Sequence, residues 1–138
     1  SKMSIFFPSD EWVKMFMEEL NHSDTYLEAA KNWEGDFYFI VDPGGKLEKT
    51  VILYMDLWHG KCREAFAVED ESVKTPVFRL SAPVATWKKV LNKQLDPMQG
   101  MMTGQLKLKG NMAIVMKNVK AAKELVANGS QIETEFPI

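Results

Sequence analysis

The segment Lys49 to Trp58, KTVILYMDLW, constrains the fold more than any other. Its β-branched and aromatic content is that of a strand. Alternate residues of a strand point to opposite faces. Val51, Leu53, Met55 and Leu57 share one face, and Ile52, Tyr54 and Trp58 share the other, where only Asp56 is polar. A strand apolar on both faces is covered on both faces or lies in an interface. Its neighbours supply the partners. Asp36 to Asp42, DFYFIVD, reads as a strand, and Pro43-Gly44-Gly45 reads as a turn. His59-Gly60-Lys61 is a second tight turn, and Cys62 to Glu69 is a third strand. The three form a meander with a largely buried middle strand.

Helices must do the covering. Ser9 reads as an N-cap, with Asp10 and Glu11 in the first turn and an apolar stripe from Trp12 through Met15 and Phe16 to Leu20. Ser23 caps a second helix that sets Tyr26, Ala30 and Trp33 on one face. Helices this short need something to pack on. After a charged loop at Asp70-Glu71-Ser72, Pro76 to Ser81 is a fourth strand, and Pro83 opens a helix with Val84, Trp87, Val90, Leu91 and Leu95 on its apolar face. Asp96-Pro97 starts one or two more helical turns, closed by Gly104. Gln105 to Lys109 is a fifth strand, with Leu106 and Leu108 inward and Lys107 and Lys109 outward. Gly110-Asn111 turns into a final helix, which runs to about Asn128-Gly129, and Ser130 to Ile138 is a tail to which no element is assigned. The order predicts an α+β fold: a five-stranded, mostly antiparallel sheet covered by helices. At 138 residues the chain, 1–138, reads as one domain.

Several function classes are excluded. No run of about 18 apolar residues exists, so no membrane-spanning helix is expected. The start of the chain lacks a secretory pattern. Ser1 and Lys2, ahead of Met3, read as an addition to the natural start and are set aside. One cysteine, Cys62, allows no internal disulfide. The C-terminal EFPI carries no peroxisomal or lipidation signal. Neither His22 nor His59 has metal-ligand spacing to other donors, so no metal is expected. No cofactor motif occurs. Net charge is −2, yet Lys74 to Lys123 holds ten Lys and Arg against one acid, Asp96. These lysines are either solvated helix faces or an attraction for an anionic head group or membrane surface. Nucleic acid is not expected, because the basic residues alternate with Met, Val and Leu rather than stacking aromatics.

The stretch Asp96 to Met116, DPMQGMMTGQLKLKGNMAIVM, stands out for its composition. It holds five of the nine methionines, Met98, Met101, Met102, Met112 and Met116, and three glycines. Methionine at helical spacing fills cores, but its unbranched, polarizable chain also lines sites that accept several apolar shapes. Met98, Met101 and Met102 crowd one short helical segment beside glycine, and such a segment can move as a lid.

The run Gly104-Gln105-Leu106-Lys107-Leu108-Lys109-Gly110-Asn111-Met112, followed by Val115-Met116-Lys117, resembles the signature of the sterol carrier protein type 2 family, the nonspecific lipid-transfer proteins. The flanks agree. A helical pair ends in Trp33-Glu34-Gly35, a meander and a PVF strand follow, and a helix with Trp87 and Lys88 precedes the methionine turn. The similarity runs from about Asp10 to Leu125. It implies an apolar tunnel between sheet and helices that binds fatty acids, fatty acyl-CoA, phospholipids or sterols without covalent chemistry and without a cofactor. The candidate wall residues are Phe78, Trp87, Leu91, Met98, Met101, Met102, Leu106, Leu108, Met112 and Met116, with Lys107, Lys109 and Lys117 as head-group candidates. The family's C-terminal peroxisomal signal is absent, so the resemblance implies a cytoplasmic, stand-alone member; the N-terminal helical pair is closer to prokaryotic members than to animal sterol carriers, which points away from sterol.

A lipid carrier, with transient membrane contact, is thus the leading reading. The alternatives are an interaction domain or homodimer with a filled core, and an enzyme acting on acyl-CoA esters. An enzyme would have to draw on Tyr54, Asp56 or Cys62.

Overall fold

A computed structural model describes residues 3–138; Ser1 and Lys2, set aside above, lie outside them. In chain order the elements are β1 (Ile5–Phe6), α1 (Asp10–Asn21), α2 (Asp24–Ala29), β2 (Glu34–Asp42), β3 (Val51–Trp58) and β4 (Lys61–Val68). They continue with β5 (Phe78–Pro83), α3 (Val84–Leu91), α4 (Pro97–Met102), β6 (Lys107–Lys109), α5 (Met112–Met116), α6 (Val119–Gly129) and β7 (Thr134–Glu135). The main sheet has the order β4-β3-β2-β5-β6, and β1 and β7 form a small parallel pair. Only the β2–β5 pairing of the main sheet is parallel.

The meander forms as its sequence predicts. The β3–β4 turn places His59 at φ 50 and Gly60 at φ 81, two left-handed residues as a two-residue hairpin requires. A side chain at Gly60 would also meet the Leu27 carbonyl oxygen of α2 at 2.7 Å. Both faces of β3 are covered, by different means. Leu53, Met55 and Leu57 join Phe37, Phe78 and Leu80 in the core under the helices. On the other face Ile52 and Tyr54 cluster with Tyr38, Ile40 and Val68. Among the described residues no helix residue joins this cluster; the loop between β4 and β5 folds over it instead. The Tyr38 hydroxyl accepts from Lys74 N at 2.8 Å and donates to the carbonyls of Lys74 or Glu71. The Lys74 ammonium sits 5.2 Å from the Tyr54 ring centroid.

An edge strand such as β4 exposes backbone donors and acceptors that invite pairing with another chain. Here α1 blocks it with side chains. Asn21 at the end of α1 donates to Cys62 O at 2.9 Å and accepts from Cys62 N at 2.8 Å. Asp10 at the start of α1 accepts from Ala67 N at 2.9 Å and pairs with Lys14 at 2.7 Å. The Lys14 bond, then the Ala67 bond, hold the Asp10 carboxyl below the usual carboxylate range.

Four expectations are corrected. The fourth strand begins at Phe78, not Pro76, because Val77 N donates to the Asp36 side chain at 2.8 Å. The fifth is only Lys107–Lys109, because Leu106 N turns back to Gly100 O at 3.0 Å. The last helix is two: Asn118, at φ −119 and ψ 42, breaks it, and its side chain caps Ile114 O at 2.8 Å. Finally, the tail is ordered. Ile5 N and Phe7 N donate to Glu133 O and Glu135 O, both at 2.9 Å, and Ile132 is buried.

Candidate functional site

Sheet and helices enclose a cavity of about 90 Å³. Its floor is the helix-facing side of the sheet, with Phe37, Phe39, Val41, Leu53, Met55 and Leu80. Phe7 and the α1 side chains Trp12, Val13 and Phe16 close one side. The α3 residues Trp87, Val90 and Leu91, together with Pro97, Met101 and Leu106, close another. Val115 of α5 and Ala122, Leu125 and Val126 of α6 complete the wall.

Every lining residue is apolar. The two indole N–H groups among them are bonded elsewhere. Trp12 Nε1 donates to Thr134 Oγ1 at 2.9 Å, and Trp87 Nε1 donates to Ile40 O at 3.0 Å. The wall therefore offers a guest bulk and dispersion contact but no side-chain hydrogen bond. A second cavity of about 50 Å³ lies beside it, lined by Tyr26, Trp33, Leu57, Asn118 and Ala121. Phe37, Val115, Ala122 and Leu125 line both, so these four side chains are the partition.

The predicted wall residues divide. Trp87, Leu91, Met101 and Leu106 are brought together on the cavity. Phe78 and Met98 are buried but lie outside its lining. Phe78 is wedged against Trp33 and Phe37, with ring centroids at 5.3 and 5.0 Å. Leu108 is half-buried and packs against the core, again outside the lining. Met102, Met112 and Met116 face outward and are 66%, 37% and 36% exposed. The break at Asn118 explains the last two. In a five-residue α5 only Val115 turns inward.

Lys107 and Lys109 pair across the ladder with Ser81 and Arg79, on the sheet face opposite Leu108 and Leu80. Lys107 lines a separate polar groove with Asp42, Ser81, Thr86 and Gln105. Lys117 caps α5 and is exposed.

The residues an enzyme would need do not meet at the cavity. Tyr54 and Asp56 lie on the far face of the sheet. There the Tyr54 hydroxyl donates to Asp36 Oδ2 at 2.8 Å, and Asp56 is held by Arg63 at 2.9 and 3.2 Å. Burial, reinforced by Asp36, pushes the Tyr54 hydroxyl above its ordinary pKa. Cys62 is buried against the core, and burial pushes its thiol up to about 12, so it stays protonated and unreactive. Among the described residues no group of three His, Cys, Asp or Glu is placed to hold a metal, and no helix is long and apolar enough to cross a membrane.

Sequence reasoning misses the α1 wall and the α6 wall. The stripe of Trp12 and Phe16 announces a buried face but not what that face looks at.

The elements thus build an α+β shell around an apolar cavity. The chain belongs to the SCP-2 sterol transfer family, whose model matches residues 10–123. Solved structures agree. A crystal structure of a sterol carrier protein 2 is 36% identical, with a TM-score of 0.79 over 90% of this chain and 97% of that one. The solution structure of a conserved hypothetical protein from Thermus thermophilus, described as possibly a sterol carrier protein, is 37% identical, with a TM-score of 0.83 over 98% and 94% of the two chains. Sterol carrier protein 2 from Yarrowia lipolytica, in an apo form, shares the fold at 21% identity, with a TM-score of 0.59 over 85% and 88%. A search of curated proteins gives no match.

Proposed function

We propose that the protein binds and carries a lipid, holding its alkyl chain in the cavity between sheet and helices without covalent chemistry. Fatty acids and fatty acyl-CoA esters are the ligands that best suit it, with phospholipid next. The observation that carries this is the lining, which is apolar throughout and whose indole N–H groups are bonded away from the guest. Nothing in such a wall reads a sterol hydroxyl or a head group. Selection is therefore by length and shape of the chain, and the head stays near solvent. Trp87, Leu91, Met101 and Leu106, with Phe16, Val115 and Leu125, are the proposed chain contacts.

The driving force is burial at about 0.8 kcal/mol per CH₂, so about 12 methylenes contribute near 10 kcal/mol before association costs. A volume of 90 Å³ is less than such a chain needs; small-molecule pockets run from about 300 Å³. The partition supplies part of the room; the two cavities together are still smaller than that, so the helices over the sheet must also move outward. Displacing Val115, Ala122 and Leu125 joins the two cavities into a tunnel along the sheet floor.

Native mass spectrometry of the purified protein tests the reading. The expected result is added mass in steps of a lipid series, lost on displacement by a competing fatty acid. No bound lipid, with no displacement of a fluorescent fatty acid, contradicts it.

A further inference from the structure

The smaller cavity differs from the larger in its chemistry. Two of its lining side chains carry hydrogen-bonding atoms that nothing in the fold takes up, Tyr26 of α2 and Asn118 at the head of α6. Tyr26 is the one buried residue of α2 and is 2% exposed. The Ser23 side chain accepts from its backbone N–H at 3.1 Å, but among the described residues its hydroxyl has no hydrogen-bond partner. Nor is that hydroxyl sealed in protein. Among the described residues the only fully enclosed side-chain nitrogen or oxygen without a partner is Arg79 Nε. The Tyr26 oxygen therefore keeps some open surface, and the space that Tyr26 lines is the cavity. Burying a hydroxyl without a partner costs stability, and phenylalanine would fill this place without that cost. Burial, then the neighbouring Cys62, pushes the hydroxyl above its ordinary pKa, which keeps it a neutral donor. Asn118 supplies the complement. Its Nδ2 donates to Ile114 O at 2.8 Å, and among the described residues its Oδ1 accepts from nothing. Trp33 on the same cavity is already bonded, Nε1 donating to Gly35 O at 2.9 Å. An unused donor and an unused acceptor on one small cavity match a group that both accepts and donates, which is a hydroxyl. A carboxylate only accepts, so Asn118 Oδ1 opposes it, and a methyl end leaves both partners unmet.

We propose that Tyr26 and Asn118 form a subsite that reads a hydroxyl, and that the preferred guest is a long-chain fatty acid carrying a single hydroxyl on its chain. The alkyl portion lies in the larger cavity, and the hydroxyl lies in the smaller one, accepting from Tyr26 Oη and donating to Asn118 Oδ1. This deepens the lipid-carrying reading above and rests on it. The larger cavity gives length and shape selection, and the subsite adds selection by functional group. Because the partition sets the subsite at a fixed distance along the guest, the position of the hydroxyl matters as well as its presence. A sterol also carries a hydroxyl, but its rigid rings would have to pass the same partition of Phe37, Val115, Ala122 and Leu125 that a single chain threads.

The test is displacement of a fluorescent fatty acid by octadecanoic acid, by its mid-chain, penultimate and terminal monohydroxy derivatives, and by cholesterol, in the wild type and in Tyr26→Phe. The readout is the affinity of each hydroxy acid relative to octadecanoic acid within the same protein, so a general change in the cavity cancels. In a wholly apolar tunnel every hydroxyl weakens binding, since it is buried without a partner. In the wild type one positional isomer is expected to equal or exceed octadecanoic acid, and Tyr26→Phe should lower its relative affinity about tenfold. Hydroxy acids that all bind more weakly than octadecanoic acid, by the same ratio in both proteins, overturn the proposal. So does a preferred isomer whose ratio Tyr26→Phe leaves unchanged, which would place the reading group elsewhere. Cholesterol that outcompetes every hydroxy acid in the wild type and loses that lead in Tyr26→Phe overturns the assignment to a chain. The urea midpoint of ligand-free Tyr26→Phe should not fall, because the hydroxyl holds nothing in the fold; a fall would reveal a structural partner and overturn the subsite. Octadecanoic acid that displaces no probe from the wild type overturns the carrier reading itself, and with it the subsite.

Discussion

Ala122 is the smallest side chain on the partition between the two cavities, and half-buried. Ala122→Trp puts a rigid aromatic group where the proposed chain must pass. Fatty-acid affinity should fall at least about tenfold, or 1.4 kcal/mol, with the urea midpoint little changed; fluorescence titration and urea unfolding measure the two. Cys62, on β4, is a second reporter. An ordinary thiol has a pKa of about 8.5 and is largely thiolate at pH 9; one held up to about 12 is not. Alkylation at pH 9 should therefore be about a hundredfold or more slower in the native protein than in urea. The sign of the stability effect follows. A raised folded pKa favours the folded state below the unfolded value, and that contribution is lost as pH climbs from about 8.5 through the folded value near 12. These two residues also show what one-dimensional reading can do. Cys62 lies inside the predicted third strand, and a lone cysteine in such a place is ordinarily a small core residue, as it is here. Ala122 gives no signal: a small residue becomes a partition only through what the fold sets beside it.

At the scale of elements, the meander and the caps are legible, because turns and N-caps are local chemistry. Ser9, Ser23, Asp96 and Asn111 all accept the first-turn N–H of the helices they open. Asn111 reads in the sequence only as part of a turn, but its short polar side chain is the same kind of cap. The break at Asn118 is not legible, since Met112, Val115, Met116 and Val119 fit one continuous helical stripe. That stripe is why Met112 and Met116 are expected on a wall they do not form. The tail escapes for a different reason: two-residue strands have no periodicity. Its contribution is nonetheless tertiary and sizeable. Ile132 is buried, Phe136 meets Phe7 at 5.6 Å between ring centroids, and Pro137 O accepts from Lys46 N at 2.6 Å. Burial of Ile132 alone is worth about 1.5–3 kcal/mol. Deleting residues 131–138 should lower the unfolding free energy by at least that amount in urea denaturation. A change under about 0.5 kcal/mol, the usual range for surface substitutions, would mean that the tail is not docked.

For the whole molecule, the two apolar faces of β3 foretell a sheet covered on both sides. What no pattern in the chain foretells is that one face is closed by helices with space left beneath them, and the other by a loop with none. Helix α1 contributes to both the cavity wall and the blocked β4 edge. The N-terminal half of the chain is therefore as much a part of the candidate site as the methionine-rich half. The central claim is that the cavity holds an alkyl chain by burial alone. Calorimetric titration with saturated fatty acids of increasing length tests it most directly. The account predicts that each added methylene tightens binding about fourfold, the equivalent of about 0.8 kcal/mol, up to a length at which the joined cavities are full. Affinity that is independent of chain length, or set by the head group alone, would contradict it.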